Sequence, residues 1–169
     1  MQEVSKLQEL NEGDYQPDGS TALFDAIALG IEQVKNDAGD ELHADNDTVD
    51  AAVSVTIITD GWENASSEEN KKKVPGLIKE LQSTGKWTFA YIGANHDVEA
   101  VANSMNIPVA NTAVYKSTVN GTKHAFAAMR SASGSYYGKR AKGISGVDLQ
   151  NTFFETEDGE KIEIEDSDD

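Results

Sequence analysis

Two short stretches combine side chains that could do chemistry. Gly19-Ser20-Thr21 offers two hydroxyls just before an amphipathic run, and Asp60-Gly61-Trp62-Glu63-Asn64 places carboxylates and an amide just after a β-branched one. In open α/β sheets, ligand sites form in the loops beyond the carboxyl ends of strands. A hydroxyl and a carboxylate held there, with glycines allowing close approach, suit a hard cation such as Mg2+, which takes oxygen ligands and keeps waters. Each residue also has a plainer reading. A hydroxyl at position 21 suits a helix N-cap, Asp60-Gly61 suits a turn, and Asp25 is placed to bond nearby backbone groups.

Other chemistries find little support. The chain has no cysteine, which closes disulfides, zinc-thiolate sites and cysteine nucleophiles. His43, His96 and His124 are scattered and lack the spacing of a zinc motif, so they read as surface residues. Ser131-Ala132-Ser133-Gly134-Ser135 has the composition of a phosphate loop but follows a helical run with no preceding strand. With no nucleophile and base pair and no nucleotide fingerprint, enzymatic activity is not expected.

The 169 residues suit one domain, and 38% hydrophobic content is enough for a single core. Thirty acidic residues against 14 basic ones give a net charge of -16, which argues against non-specific binding to nucleic acid or an anionic membrane. Residues 155–169 carry nine acidic residues and one lysine, half of that imbalance. Such a tail reads as a solvated end, with docking to a basic protein as the functional alternative. No apolar run approaches the ~20 residues that span a bilayer, and the N-terminus lacks a secretory pattern. A cytoplasmic protein is expected.

The elements that must position these groups alternate. Leu23, Ile27, Ile31 and Val34 recur at helical spacing within residues 22–34, and residues 36–50 read as a helix end and loop. Residues 52–59 form a β-branched run expected to be a strand buried on both faces, ended by Asp60-Gly61. Ser66 or Ser67 caps a helix to about Gln82 with Val74, Leu77, Ile78 and Leu81 inward, and residues 86–92 give a second strand. Asp97 caps a helix to about Met105, residues 108–110 suit a short strand, and residues 122–137 a last helix along Ala125, Phe126, Met129 and Ala132. A Gly-rich loop then leads to a hairpin over 153–164 turning at Asp158-Gly159. This order predicts an α/β fold with parallel strands, divided into residues 1–140 and a loop and acidic tail at 141–169.

Tyr15-x-Pro17-x-Gly19-Ser20-Thr21-Ala22-Leu23-x-Asp25-Ala26-Ile27, followed by Thr59-Asp60-Gly61-x-Glu63-Asn64-Ala65-Ser66, resembles the von Willebrand factor A pattern. Trp87-Thr88-Phe89-x-Tyr91-Ile92-Gly93-Ala94-Asn95 and Ile107-Pro108 bring it closest to a bacterial and phage subgroup, over roughly residues 4–137. The resemblance implies a Rossmann-like three-layer sandwich. It also implies a metal-ion-dependent adhesion site built from an Asp-x-Ser-x-Ser on the first strand, a Thr and an Asp. Thr21 and Asp60 match the latter two, and Ser20, Glu63 and Asn64 flank them as partner-contacting residues.

No Asp-x-Ser-x-Ser occurs in this sequence. The N-terminal strands of such a domain are therefore expected to be missing, leaving a fragment, a truncation or half of a split domain with an exposed edge on the strand ending at Thr59. The resemblance implies a non-enzymatic interaction module in which Mg2+, held weakly by this chain alone, accepts a carboxylate from a partner protein. The alternative is a metal-independent assembly protein that pairs through its open sheet edge with a complementing strand or a second copy. A metal-dependent hydrolase using Asp60 is a third and weaker reading.

Overall fold

The computed structural model describes residues 11, 13, 19–38, 51–94 and 97–164. His43, His96, most of the 36–50 loop, Tyr15 to Asp18 and the last five residues of the acidic tail lie outside the described residues. The fold is α/β. Helix α1 (Leu23–Ala38) leads to strand β1 (Val53–Thr59), helix α2 (Glu68–Ser83), strand β2 (Trp87–Ala94), helix α3 (Val98–Ser104), strand β3 (Thr112–Tyr115), helix α4 (Val119–Ala141) and a short helix α5 (Val147–Gln150). The strands form a parallel sheet in the order β1-β2-β3, with Val53 beside Trp87 and Tyr91 beside Thr112.

Strand β2 organises the core, because all eight of its residues are buried. Its alternating side chains feed two clusters on opposite faces of the sheet, as the period of two requires. Trp87, Phe89 and Tyr91 pack with Leu23, Ile27 and Ile31 of α1, Val74, Ile78 and Leu81 of α2, and Val98 and Ala102 of α3. Ala90, Ile92 and Ala94 pack with Ala125, Ala132 and Tyr136 of α4 and with Leu149, Phe153 and Phe154 beyond it. Helices therefore cover both faces in three layers.

Strand β1 differs from the expectation of burial on both faces. Only Ile57 is buried, and the other six residues are half-buried. The cause is position: β1 has one hydrogen-bonded neighbour, β2, and its other edge carries no strand among the described residues. Its alternation fits this place, with Val53, Val55 and Ile57 on the α1 and α2 side and Ser54 and Thr56 between them.

The second half of the chain departs further from the sequence reading. In place of a strand at 108–110, a 3-10 turn spans Val109–Asn111 and β3 follows it. Pro108 adopts φ -59°, its carbonyl accepts from the Asn111 amide at 2.8 Å, and the ladder begins only at Thr112. Helix α4 runs three residues earlier and four later than 122–137, capped by the Thr118 hydroxyl on the Gly121 amide. Ser131 to Ser135 lie inside it, and Phe126, expected in the core, is 50% exposed on its outer side. The expected hairpin reduces to one antiparallel bridge between Glu155 and Lys161, with Gly159 at φ 84° in the turn.

Buried polar groups hold this C-terminal segment in place. Asn111 is fully buried, and its amide donates to the Phe89 carbonyl at 3.0 Å and to the Gln150 carbonyl, while its carbonyl accepts from the Phe153 amide at 3.1 Å. Lys139, also buried, donates to the carbonyls of Thr152 and Glu155 at 3.2 and 3.1 Å. Replacing Asn111 with Ala leaves these buried groups without partners and is expected to cost ~3 kcal/mol. Asn111→Asp is expected to cost more, because a carboxylate has no proton to donate to the two carbonyls and brings a buried charge. Urea unfolding of both variants checks this order, and equal stability of Asn111→Asp and wild type would contradict it.

Candidate functional site

The carboxyl end of the sheet is formed by Thr59 of β1, Ala94 of β2 and Tyr115 of β3, with Thr59 level with Gly93 and Ala94 level with Tyr115. Asp60 follows directly and is exposed. The turn is set locally: the Thr59 hydroxyl accepts from the Gly61 amide at 3.2 Å and donates to the Gly61 carbonyl at 3.1 Å. Asp60 is close enough to Tyr115 that its negative charge adds to burial, the larger cause, in pushing the Tyr115 hydroxyl up from its ordinary pKa. Burial first, and then Tyr115, push Tyr91 up to about 12.

The hydroxyl stretch before α1 is pinned against this turn. Thr21 donates its amide to the Asn64 side-chain carbonyl at 2.8 Å, and the Thr21 carbonyl accepts from the amides of Asn64 and Ala65 at 3.0 and 3.2 Å. The Thr21 hydroxyl lies against Gly61, where a Cβ would approach it to 2.7 Å. Glycine at 61 is what permits this approach.

Glu63 caps α1. Its carboxylate accepts from the amides of Leu23 and Phe24 at 2.7 and 3.3 Å, from those of Ala65 and Ser66 at 3.1 and 2.8 Å, and from the Ser66 hydroxyl at 2.6 Å. The Ser66 hydroxyl in turn accepts from the Phe24 and Asp25 amides at 2.9 and 3.3 Å. These bonds satisfy helix N-terminal amides that have no partner within the helix, and a negative charge there suits the helix dipole. Burial raises the Glu63 carboxyl, but its bonds from Ser66, Phe24 and Leu23 outweigh it and leave the group below its ordinary pKa. Asp25 acts similarly toward α2. It accepts from the side chain of Asn70 at 2.8 Å and from the hydroxyl and amide of Ser67, the N-cap of α2, and these bonds hold it below its ordinary pKa.

The structure thus brings Thr21, Asp60, Glu63 and Asn64 to one end of the sheet and separates their roles. The capping that sequence allowed for Thr21 is carried by Glu63 and Ser66, and the Thr21 hydroxyl makes no hydrogen bond among the described residues. The Asp60 carboxylate likewise has no hydrogen bond or ion pair among them. Glu63 and Asn64 are engaged in holding the turn to α1, while Ser20 is exposed beside it. Sequence reading offered Ser66 or Ser67 as the cap of α2, which Ser67 is, and passed over the bonds of Ser66 to α1; their signal was a hydroxyl three residues after Glu63. Comparison with family models, with curated proteins and with solved structures found no match.

Thr21 and Asp60 supply hard oxygen donors of the kind Mg2+ takes, but they are only two side chains, and no group of three His, Cys, Asp or Glu residues is gathered among the described residues. The donor type fits the ion and the number does not.

The Glu63 cap carries a pH signature. A folded-state pKa below the unfolded value contributes stability that is present above the unfolded value and is lost as pH falls through the folded one. Glu63→Gln is therefore expected to lower the melting temperature at pH 7, with the gap to wild type closing as pH falls through and below the ordinary carboxylate range. Glu63→Ala is expected to cost ~2 kcal/mol at pH 7. Melting curves across this range test both, and a gap that does not change with pH would contradict the ionic cap.

Proposed function

We propose that the chain is a non-enzymatic protein-interaction module of von Willebrand factor A type with an incomplete metal-ion-dependent adhesion site. Thr21 and Asp60 are its part of the ligand set for Mg2+. The observation that carries this reading is the placement of the Thr21 hydroxyl, which is free of capping duty and packed on Gly61 next to Asp60. The remaining donors come from a polypeptide segment outside this sequence, seated beside the open edge of β1. There the ion would accept a carboxylate from the partner protein, with Ser20, Glu63 and Asn64 shaping the surroundings. The chain's net charge of -16 favours cations and basic surfaces over nucleic acid and anionic membranes, and among the described residues no helix is long and apolar enough to cross a membrane. We place the module in the cytoplasm.

The edge of β1 that carries no strand among the described residues supports a second, metal-independent reading. A strand with one neighbour presents unpaired backbone groups to any extended segment, and β1 carries no charge or proline within Val53–Thr59 to discourage pairing. In this reading the module assembles through that edge with a complementing strand or a second copy.

Calorimetric titration with Mg2+ and Mn2+, with mass in solution recorded, separates the two. The metal reading predicts weak saturable binding, at millimolar ion or above, that vanishes in Asp60→Ala and in Gly61→Ala. Absence of such binding, together with a dimer or larger species that persists in chelator, would overturn the metal reading and support edge pairing.

A further inference from the structure

The chain carries 30 acidic residues, yet none stands between Glu99 and Asp148, where six of the 14 basic residues lie. That stretch forms β3 and α4, so the charge of α4 opposes the -16 of the chain as a whole. Helix α4 turns Ala125, Ala132 and Tyr136 toward the sheet. On its other side Val119, Phe126 and Tyr137 are 74, 50 and 61% exposed. Their spacings of seven and eleven residues are close to two and three helical turns, so the three side chains fall in one stripe. Lys123 and Arg130 stand in the same stripe, three residues before and four after Phe126, and both are exposed. Neither cation makes a hydrogen bond or ion pair among the described residues. Tyr137 is steadied by an edge-on contact with the buried Tyr136, ring centroids 5.5 Å apart.

Exposed apolar side chains scattered singly are normal at a protein surface, whereas a rank of them on one element marks an interaction face. Leu29 of α1, although 65% exposed, has no large apolar residue one or two turns away on its own helix. The α4 stripe does, and charge selects what covers it. We propose that this stripe docks an amphipathic helix of a partner protein whose apolar ridge is flanked by Asp and Glu. Phe126 and Tyr137 seat in the ridge, and Lys123 and Arg130 pair with the flanking carboxylates. Apolar residues recurring over whole turns with charges between them are how helices pack side by side and choose partners. A second copy is a poorer occupant, because α4 against α4 sets the cations of both copies along one seam. Nucleic acid is poorer too, since the rest of the chain repels it. The inference is independent of the metal and edge-pairing readings: α4 packs on the sheet face opposite α1 and α2.

The probe is an acetylated peptide of three Leu-Glu-Glu-Leu-Leu-Glu-Glu repeats. It is compared with the same repeats carrying Lys for Glu, with a shuffled peptide of the acidic composition and with an oligothymidylate. Each is titrated into the full chain in chelator and followed by calorimetry, with mass in solution recorded. Wild type is expected to bind the acidic helix saturably and more tightly than the other three. Phe126→Ala is expected to weaken that binding about tenfold. Joint Lys123→Glu and Arg130→Glu replacement is expected to weaken it at least as much and to gain affinity for the lysine peptide, which a misfolded variant would not do. Leu29→Ala and Lys79→Glu, at exposed positions on the helices of the opposite face, are expected to leave affinity unchanged. Equal binding of the shuffled peptide, unchanged affinity in Phe126→Ala, or an equal loss in Lys79→Glu would overturn the docking face. Tighter binding of the oligothymidylate, or a dimer that Phe126→Ala abolishes, would also overturn it, by giving the stripe to nucleic acid or to a second copy. Because chelator is present throughout, failure here leaves the metal reading untouched, and failure of metal binding leaves this one untouched.

Discussion

The carboxylate of Glu63 ties the turn after β1 to the first turn of α1, accepting two hydrogen bonds from the Leu23 and Phe24 amides and three from Ala65 and Ser66 in its own turn, and the candidate site depends on that tie. Residues 21 and 60 are 39 positions apart in sequence. Among the described residues no strand links α1 to the sheet, and the two stretches are joined by side chains, Glu63 and Ser66 on the α1 amides, Asn64 on Thr21 and Asp25 on the start of α2, and by the Thr21 carbonyl on the Asn64 and Ala65 amides. The ionised carboxylate is favoured because four backbone amides and a hydroxyl converge on it, more than enough to offset its partial burial. Its engagement also releases the Thr21 hydroxyl from the capping role that its position would otherwise give it.

Much of the fold was legible because its first half obeys simple periodicities. The apolar spacing of Leu23, Ile27 and Ile31 marked α1, the run Val53 to Thr59 marked β1, and Ser67 and Asp97 marked the starts of α2 and α3, all within a few residues of where they lie. The second half was less legible because tertiary contacts decide it. The stretch around Asn111 turns where its side chain can reach Phe89, Gln150 and Phe153, groups far away in sequence. Helix α4 buries mostly small residues, Gly121, Ala125, Ala128 and Ala132, so its inner face carried little hydrophobic contrast and Phe126 was wrongly turned inward.

The site was half legible. Motif spacing singled out Thr21 and Asp60, and the structure sets the two stretches side by side. What spacing cannot convey is the division of labour among neighbours: Glu63 and Asn64 brace, Thr21 and Asp60 are left uncommitted, and Trp62 is carried outward between them. The same sheet that fixes this end gives β1 a single neighbour among the described residues. That oxygen-rich end and this edge, both on one strand, are what support the proposal of a module that works with a further polypeptide segment.

The proposed function rests on Thr21 and Asp60 forming one cation-binding point at the end of β1. Paramagnetic broadening of backbone amide resonances by substoichiometric Mn2+ tests it most directly, because it maps where the ion resides however weakly it binds. The claim predicts that the amides of Thr21 and Gly61 broaden first and that this pattern disappears in Asp60→Ala. Broadening confined to the acidic stretch from Glu155 onward, or unchanged at Thr21 and Gly61 in Asp60→Ala, would contradict it.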